Sequence, residues 1–150
     1  MRLVVQRVNE ASVFIKNQEI SSIKRGLLIL LGVEKGDREE EADWLASKCA
    51  SIRIFPDEKG VMNKSLLDIS GEALCVSQFT LTASTRKGNR PSYIRAAGHE
   101  LAVPLYEIFC SKLSSLLGKE VKKGVFGADM QVHLINDGPV TIIIDSRLRE

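Results

Sequence analysis

The chain has 150 residues, 44% of them hydrophobic and 27% charged, with a formal net charge of +2. This is the composition of a soluble globular protein and of one domain over residues 1–150, long enough to bury a core. It excludes a tail-driven or histone-like nucleic-acid binder, so any nucleic acid must be met locally and by shape. No apolar stretch approaches the roughly 20 residues of a membrane span. Charge breaks the apolar run in Met1-Arg2-Leu3-Val4-Val5-Gln6-Arg7 at once, so no signal peptide is expected. Cys49, Cys75 and Cys110 are odd in number, widely spaced and set in apolar patterns, which suits reduced, buried thiols of a cytoplasmic protein.

In chain order, Leu3, Val5 and Arg7 alternate with Val4, Gln6 and Val8 at the period of a strand, and Ala11 to Lys16 reads as its neighbour. Gly26 to Val33 is apolar throughout and suits a central strand covered on both faces. Glu34-Lys35-Gly36 turns the chain into a helix from near Asp37, with Asp37 and Glu40 as a capping box and acids at 39 to 41 complementing the dipole. Ala42, Leu45, Cys49 and Ile52 give that helix its apolar stripe. A short strand over Ile52-Arg53-Ile54-Phe55 and a turn at Pro56 to Gly60 follow.

Ala73 to Leu81 reads as the next long strand, and Thr82 to Arg95 as a loop of small and basic residues. A second helix runs to Leu117 and stops at Gly118, with Leu105, Ile108, Phe109, Leu113 and Leu116 inward. Pro104 should make it begin late or bend. Two strands close the chain, Met130 to Ile135 and Val140 to Ile144, joined by Asn136-Asp137-Gly138-Pro139. The order β-β-β-α-β-β-loop-α-β-β-β is a mixed α/β arrangement whose two helices should cover sheet rather than each other.

The chemistry on offer is unusual for what it lacks. His99 and His133 show no ligand-like spacing, and no Cys-x-x-Cys, Gly-x-Ser-x-Gly or phosphate-binding glycine loop occurs, so neither a metal nor a cofactor is expected. Cys75 lies between Leu74 and Val76 with no activating charge near it in sequence, as a core thiol would. Hydroxyl, amide and backbone groups remain. Ser77, Gln78 and Thr80 interrupt a strand where packing alone would favour apolar side chains, and alternation puts Gln78 and Thr80 on one face, Ser77 and Phe79 on the other. An amphipathic edge strand and a reaction centre both fit that pattern. Arg86, Lys87 and Arg90, interleaved with glycine, fit a solvated loop or phosphate contacts equally. The Gly138-Pro139 bond removes a donor, and its tertiary amide admits a cis form.

Taken together, Ser77-Gln78-Phe79-Thr80-Leu81, Arg86 to Ser92, Phe126 to Val132 and Asn136-Asp137-Gly138-Pro139-Val140-Thr141 closely resemble the D-aminoacyl-tRNA deacylase family, also described as the D-tyrosyl-tRNA(Tyr) deacylase family. Val5 to Val8, Gly26-Leu27-Leu28 and Arg53-Ile54-Phe55 match as well, so the likeness runs from Met1 to about Asp145. It implies a three-layer β/β/α fold, with two main helices covering a mixed, barrel-like sheet, and a cytoplasmic homodimer. It implies an enzyme that hydrolyses the ester of D-amino acids, and of glycine, mischarged onto tRNA, with no membrane and no DNA partner.

In that family the Gly-Pro bond is cis and enters the active site of the other subunit. Gly138 and Pro139 would present main-chain carbonyls to the substrate's α-amino group, and Arg7 would brace that loop across the dimer. Ser77, Gln78, Phe79 and Thr80 would form the reaction centre, Thr80 positioning rather than attacking, with the 2′-OH of the terminal adenosine assisting water. Phe126, Met130 and Ala102 would hold the adenine; Arg86, Lys87 and Arg90 would touch the acceptor-stem backbone. Departures are Ser84 for an expected Asp, His133 for an expected Ser, and Pro104 within the second helix. A non-catalytic tRNA-binding module and a Cys75-dependent hydrolase stand as rival readings.

Overall fold

In the computed structural model, which describes residues 1–149, the first two expected strands are one. β1 (Arg2–Ile15) buries Leu3, Val5 and Arg7, changes phase at Val8, and then buries Ala11 and Val13. The phase change moves the strand from one apolar core to another: Leu3 and Val5 belong to the helix-side core, Val8, Ala11 and Val13 to a second one. A hairpin at Lys16 and Asn17, both at positive φ, leads into β2 (Gln18–Ile23), antiparallel to β1.

β3 (Gly26–Gly32) is buried along nearly its whole length, as expected, and pairs antiparallel with β1 and parallel with β6 (Glu72–Ser77). The approach to β6 is so close that a Cβ at Gly26 would lie 1.8 Å from the Glu72 carbonyl oxygen. β4 (Phe55–Pro56) and β5 (Met62–Lys64) form a separate small hairpin. β4 starts at Phe55 rather than Ile52, because the Ile52 N–H still closes the preceding helix onto Lys48. β7 (Lys122–Lys123) extends the sheet beyond β6. The Ser21 hydroxyl then donates to the Lys123 carbonyl at 2.8 Å, tying β2 to β7 and nearly closing a barrel. β8 (Gln131–Asp145) runs along the other side of β1.

Helices α1 (Glu39–Ser51) and α2 (His99–Leu117) form a layer on one face of this sheet. They pack on each other as well as on the sheet, contrary to expectation, with Lys112 and Asp43 paired between them at 3.4 Å. That shared contact rotates the inward face of α2. Ala102, Tyr106 and Cys110 are buried beside Leu105, Phe109 and Leu113, while Leu116 is exposed. α2 begins at His99 and passes through Pro104, whose ring faces solvent, rather than starting late. It ends at Gly118 in the left-handed region, φ 65°.

Asp37 does not cap α1. Arg38 is the N-cap and its N–H donates to the Glu41 carboxylate at 2.7 Å. Asp37 is instead buried against the Met1 ammonium, 2.7 Å away, and accepts the Glu34 N–H at 2.6 Å. A buried cation claims the carboxylate that local sequence would have assigned to the helix. Among the described residues no helix is long and apolar enough to cross a membrane.

Candidate active site

β6 stops at Ser77, not Leu81. Gln78 still donates its N–H to Leu31 on β3 at 2.7 Å, but its backbone (φ −145°, ψ 82°) leaves the strand, and Phe79–Thr82 coil into a 3₁₀ helix. Gln78 and Thr80 therefore meet by helical rise rather than by pleat: the Gln78 amide donates to the Thr80 hydroxyl. The N–H groups of Phe79 and Thr80 head this helix, where the geometry offers no intrahelical acceptor, and they have no partner among the described residues.

A cavity of ≈ 500 Å³ opens at this strand end. Ser77, Gln78 and Phe79 form one wall; Ala102 from α2 and Phe126 and Met130 from the β7–β8 connection form the others. Six of the residues expected from sequence are thus gathered in one place. The wall is braced from behind, since Tyr106 sets its ring edge-on to Phe126 (centroids 5.7 Å apart) and donates its hydroxyl to the Cys75 carbonyl at 2.8 Å. Thr80 and the Arg7 side chain do not line this cavity, nor do Gly138 and Pro139 of the same chain.

His99 also lines the cavity, its ring edge-on to Phe126 with centroids 5.1 Å apart. Sequence reasoning passed over it for lack of a ligand or base pattern; its place at the first turn of α2, beside the pocket-forming Ala102, was the available signal. His133 lies elsewhere, its ring 4.8 Å from that of Phe14.

The Asn136–Pro139 segment is not a turn between two strands. β8 is continuous, and the register on β1 passes from Val8↔Asn136 to Gln6↔Thr141, so Asp137 to Val140 bulge out of the ladder. Asn136 closes the bulge by donating its amide to the Arg7 and Val140 carbonyls, both at 3.0 Å. Arg7, only 8% exposed, grips the bulge of its own chain: Nε donates to the Asp137 carbonyl at 3.2 Å and lies 3.0 Å from its carboxylate, while Nη1 donates to Ile54 at 2.6 Å. Gly138, at φ 121°, and Pro139 are exposed, and the bond between them is cis.

The basic loop is pinched at its base by reciprocal bonds between Ser84 and Ser92, each 2.9 Å, so Ser84 is built into the loop's frame. Arg86, Lys87 and Arg90 stand exposed beyond the pinch and outside the cavity. Cys75 is fully buried, and burial pushes its thiol well above the ordinary range, with Cys110 adding to the effect; burial likewise pushes Cys49 up to about 12. Neither has the exposed thiolate that a nucleophile needs. Among the described residues no group of His, Cys, Asp and Glu is arranged to hold a metal.

Residues 4–145 match the family model described as D-Tyr-tRNA(Tyr) deacylase. The chain is 61% identical over 150 residues to the D-aminoacyl-tRNA deacylase of Bacteroides thetaiotaomicron and 57% identical to that of Flavobacterium psychrophilum, covering 100% of both chains in each case. Among solved structures it is similar to a c-Myc DNA unwinding element binding protein (TM-score 0.92, 43% identity, 97% of this chain and 98% of the other). At 16% identity it shares the fold of a structure described as "a probable eukaryotic D-amino acid tRNA deacylase" (TM-score 0.82, 95% of this chain and 97% of the other).

Proposed function

The chain belongs to the D-Tyr-tRNA(Tyr) deacylase family, and from that premise we propose how its geometry performs the hydrolysis of D-aminoacyl-tRNA. The observation that carries the reading is the cavity at the end of β6, where Ser77, Gln78 and Phe79 face Ala102, Phe126 and Met130. An aromatic ring, a thioether and a small side chain suit the flat, apolar faces of the terminal adenine. The acyl ester then lies against the Ser77–Phe79 wall, where the coil that begins at Phe79 supplies the N–H groups of Phe79 and Thr80 as donors for its carbonyl oxygen. A donor fixed in advance at a developing oxyanion is commonly worth about 3–4 kcal/mol. Thr80 is held by Gln78 and has no base to activate it, so it positions the substrate while water, assisted by the 2′-OH of the adenosine, attacks.

Chirality is chosen by acceptors. The α-ammonium of the amino acid seeks oxygen, and the main-chain carbonyls of Gly138 and Pro139 stand on an exposed bulge that Arg7 and Asn136 hold rigid. In this reading a homodimer forms and the bulge of one subunit caps the cavity of the other. A D side chain, or the hydrogen of glycine, then points outward, while an L side chain strikes the backbone. Arg86, Lys87 and Arg90 contact the acceptor-stem phosphates, so binding weakens as salt rises. The setting is the cytoplasm.

Incubation with D-Tyr-tRNA and L-Tyr-tRNA tests the reading, with selective release of the D-amino acid expected. Binding without release would instead indicate a tRNA-binding module. A 2′-deoxy terminal adenosine should slow release strongly; an unchanged rate would point to a protein nucleophile. Cys75→Ala should retain turnover, and excess duplex DNA should not inhibit it.

A further inference from the structure

The 3₁₀ helix Phe79–Thr82 spends its carbonyls in an ordered way. Gln78 accepts the Leu81 N–H at 3.2 Å, Phe79 the Thr82 hydroxyl at 2.8 Å and Thr80 the Ala83 N–H at 3.1 Å. These bonds are local and hold the coil's shape. The next two carbonyls are taken by arginines: Leu81 accepts Arg2 Nη1 at 2.9 Å, and Thr82 accepts Arg95 Nη2 at 3.2 Å. These bonds fix where the coil sits.

Both arginines are themselves anchored. Arg2 directs Nε (3.0 Å) and Nη2 (2.8 Å) onto one oxygen of Asp145, whose other oxygen accepts the Arg147 N–H at 2.9 Å. Arg147 reaches Glu34 at 2.8 Å and Asp37 at 2.9 Å, and Glu34 lies 3.7 Å from Arg95. Arg2, Asp145, Arg147, Glu34 and Arg95 therefore form a belt that begins at the Leu81 carbonyl and ends at that of Thr82. Asp37 links the belt to the buried Met1 ammonium.

We propose that Arg2 is a positioning residue for the deacylation. It acts through the Leu81 carbonyl to set the distance of Phe79 and Thr80 from the bound ester, with Arg95 as its counterpart on Thr82. The inference rests on the reading of Ser77–Thr80 as the reaction centre. A partly exposed ion pair contributes little to global stability, so the consequence of this grip falls on placement rather than on folding. Placement matters because a shift of about 1 Å at a reacting group can cost on the order of 100-fold in rate. The fixed fork of a guanidinium holds Asp145 and Leu81 together in one geometry; an ammonium is a point charge on a flexible stem and fixes neither direction.

The test is Arg2→Lys in the full chain, read by steady-state kinetics on D-Tyr-tRNA, thermal melting and amide hydrogen exchange over residues 78–83. The expected result is a kcat lower by about 10- to 100-fold, a KM within about twofold, a melting temperature within about 4 °C of wild type, and faster exchange at Leu81 and Ala83. Asp145→Asn, which releases Arg2 without touching it, should reproduce the same pattern more weakly, and it serves if Arg2→Lys does not fold. An unchanged kcat, a rise in KM alone, or a lower kcat with unchanged exchange over residues 78–83 would overturn the proposal. A wild-type protein that releases no D-amino acid would overturn the deacylase reading instead, and faster exchange in Arg2→Lys would then still assign placement of the coil to Arg2.

Discussion

One irregular segment ends a strand and another interrupts one, and each is held by an arginine of β1. The coil after β6 is held by Arg2 through Leu81; the bulge in β8 is held by Arg7 through Asp137. Their polarity is opposite. The coil has its carbonyls occupied and offers the N–H groups of Phe79 and Thr80 beside the cavity. The bulge leaves the ladder with Gly138 and Pro139 exposed, offering oxygen. An aminoacyl ester needs both, donors at its carbonyl and acceptors at its ammonium, and one chain keeps the two apart.

The network behind the coil can be broken most severely at Asp37. Its carboxylate is 1% exposed and pairs the fully buried Met1 ammonium as well as Arg147. Asp37→Ala leaves the buried Met1 ammonium bonded to the Ser146 hydroxyl but without a counter-ion, and we expect a loss of about 3–5 kcal/mol in a denaturant titration. A cost below about 1 kcal/mol would show that water replaces the carboxylate and that the anchor is soft.

The coil's chemistry can be isolated from its packing by comparing Phe79→Pro with Phe79→Ala. Proline suits the first residue of a helix, where its missing N–H breaks no intrahelical bond. Both variants lose the ring that sits edge-on to Tyr93, but only the proline loses the donor. We expect kcat for Phe79→Pro to fall about 100- to 1000-fold below that of Phe79→Ala. Equal rates would remove this N–H from the mechanism.

At the bulge, Gly138→Ala would place a Cβ 2.8 Å from Arg7 Nη2 and 2.9 Å from Val140 Cγ2, at a φ of 121° that side chains rarely adopt. The bulge must shift, at about 1–3 kcal/mol. The expected outcome is a reduced ratio of D-Tyr to L-Tyr release with binding of adenosine to the cavity unchanged. A preserved ratio would detach chiral selection from the bulge.

How far the sequence spoke for itself differs between the same two segments. Ser77, Gln78 and Thr80 stood out as polar groups interrupting an apolar run, and Phe79, Phe126, Met130 and Ala102 came from the family resemblance; all of these but Thr80 line the cavity. The coil itself was invisible, because a β-rich run from Ala73 to Leu81 has no local signal to stop at Ser77. What holds it is tertiary: arginines from residues 2 and 95 take the carbonyls of Leu81 and Thr82. The bulge failed in the opposite sense. Asp-Gly-Pro is a strong turn signal, yet β8 stays continuous because it pairs with β1 on both sides of the interruption. The same long-range competition took Asp37 from its helix and turned α2 toward α1. His99 was reachable in principle, since its spacing of three from Ala102 puts both on one face of the helix.

The finest difference concerns acid. Partial burial pushes the Asp145 carboxyl up, but the Arg147 N–H and the Arg2 guanidinium outweigh it and hold the group below the usual carboxylate range. A depressed value in the folded state means that Asp145 adds stability in full above its ordinary value of about 3.9, and loses it as pH falls through the lower folded value. The grip of Arg2 on the coil should therefore persist throughout the neutral range and weaken only in strong acid. Hydrogen exchange at Leu81 and Ala83, corrected for its intrinsic pH dependence, should be flat from pH 8 to about pH 5 and rise below about pH 4. In Asp145→Asn that rise should be absent, because the group that titrates is gone. A rise in wild type that begins near neutrality would mean that another group governs the coil, and the division of labour between the two β1 arginines would have to be redrawn.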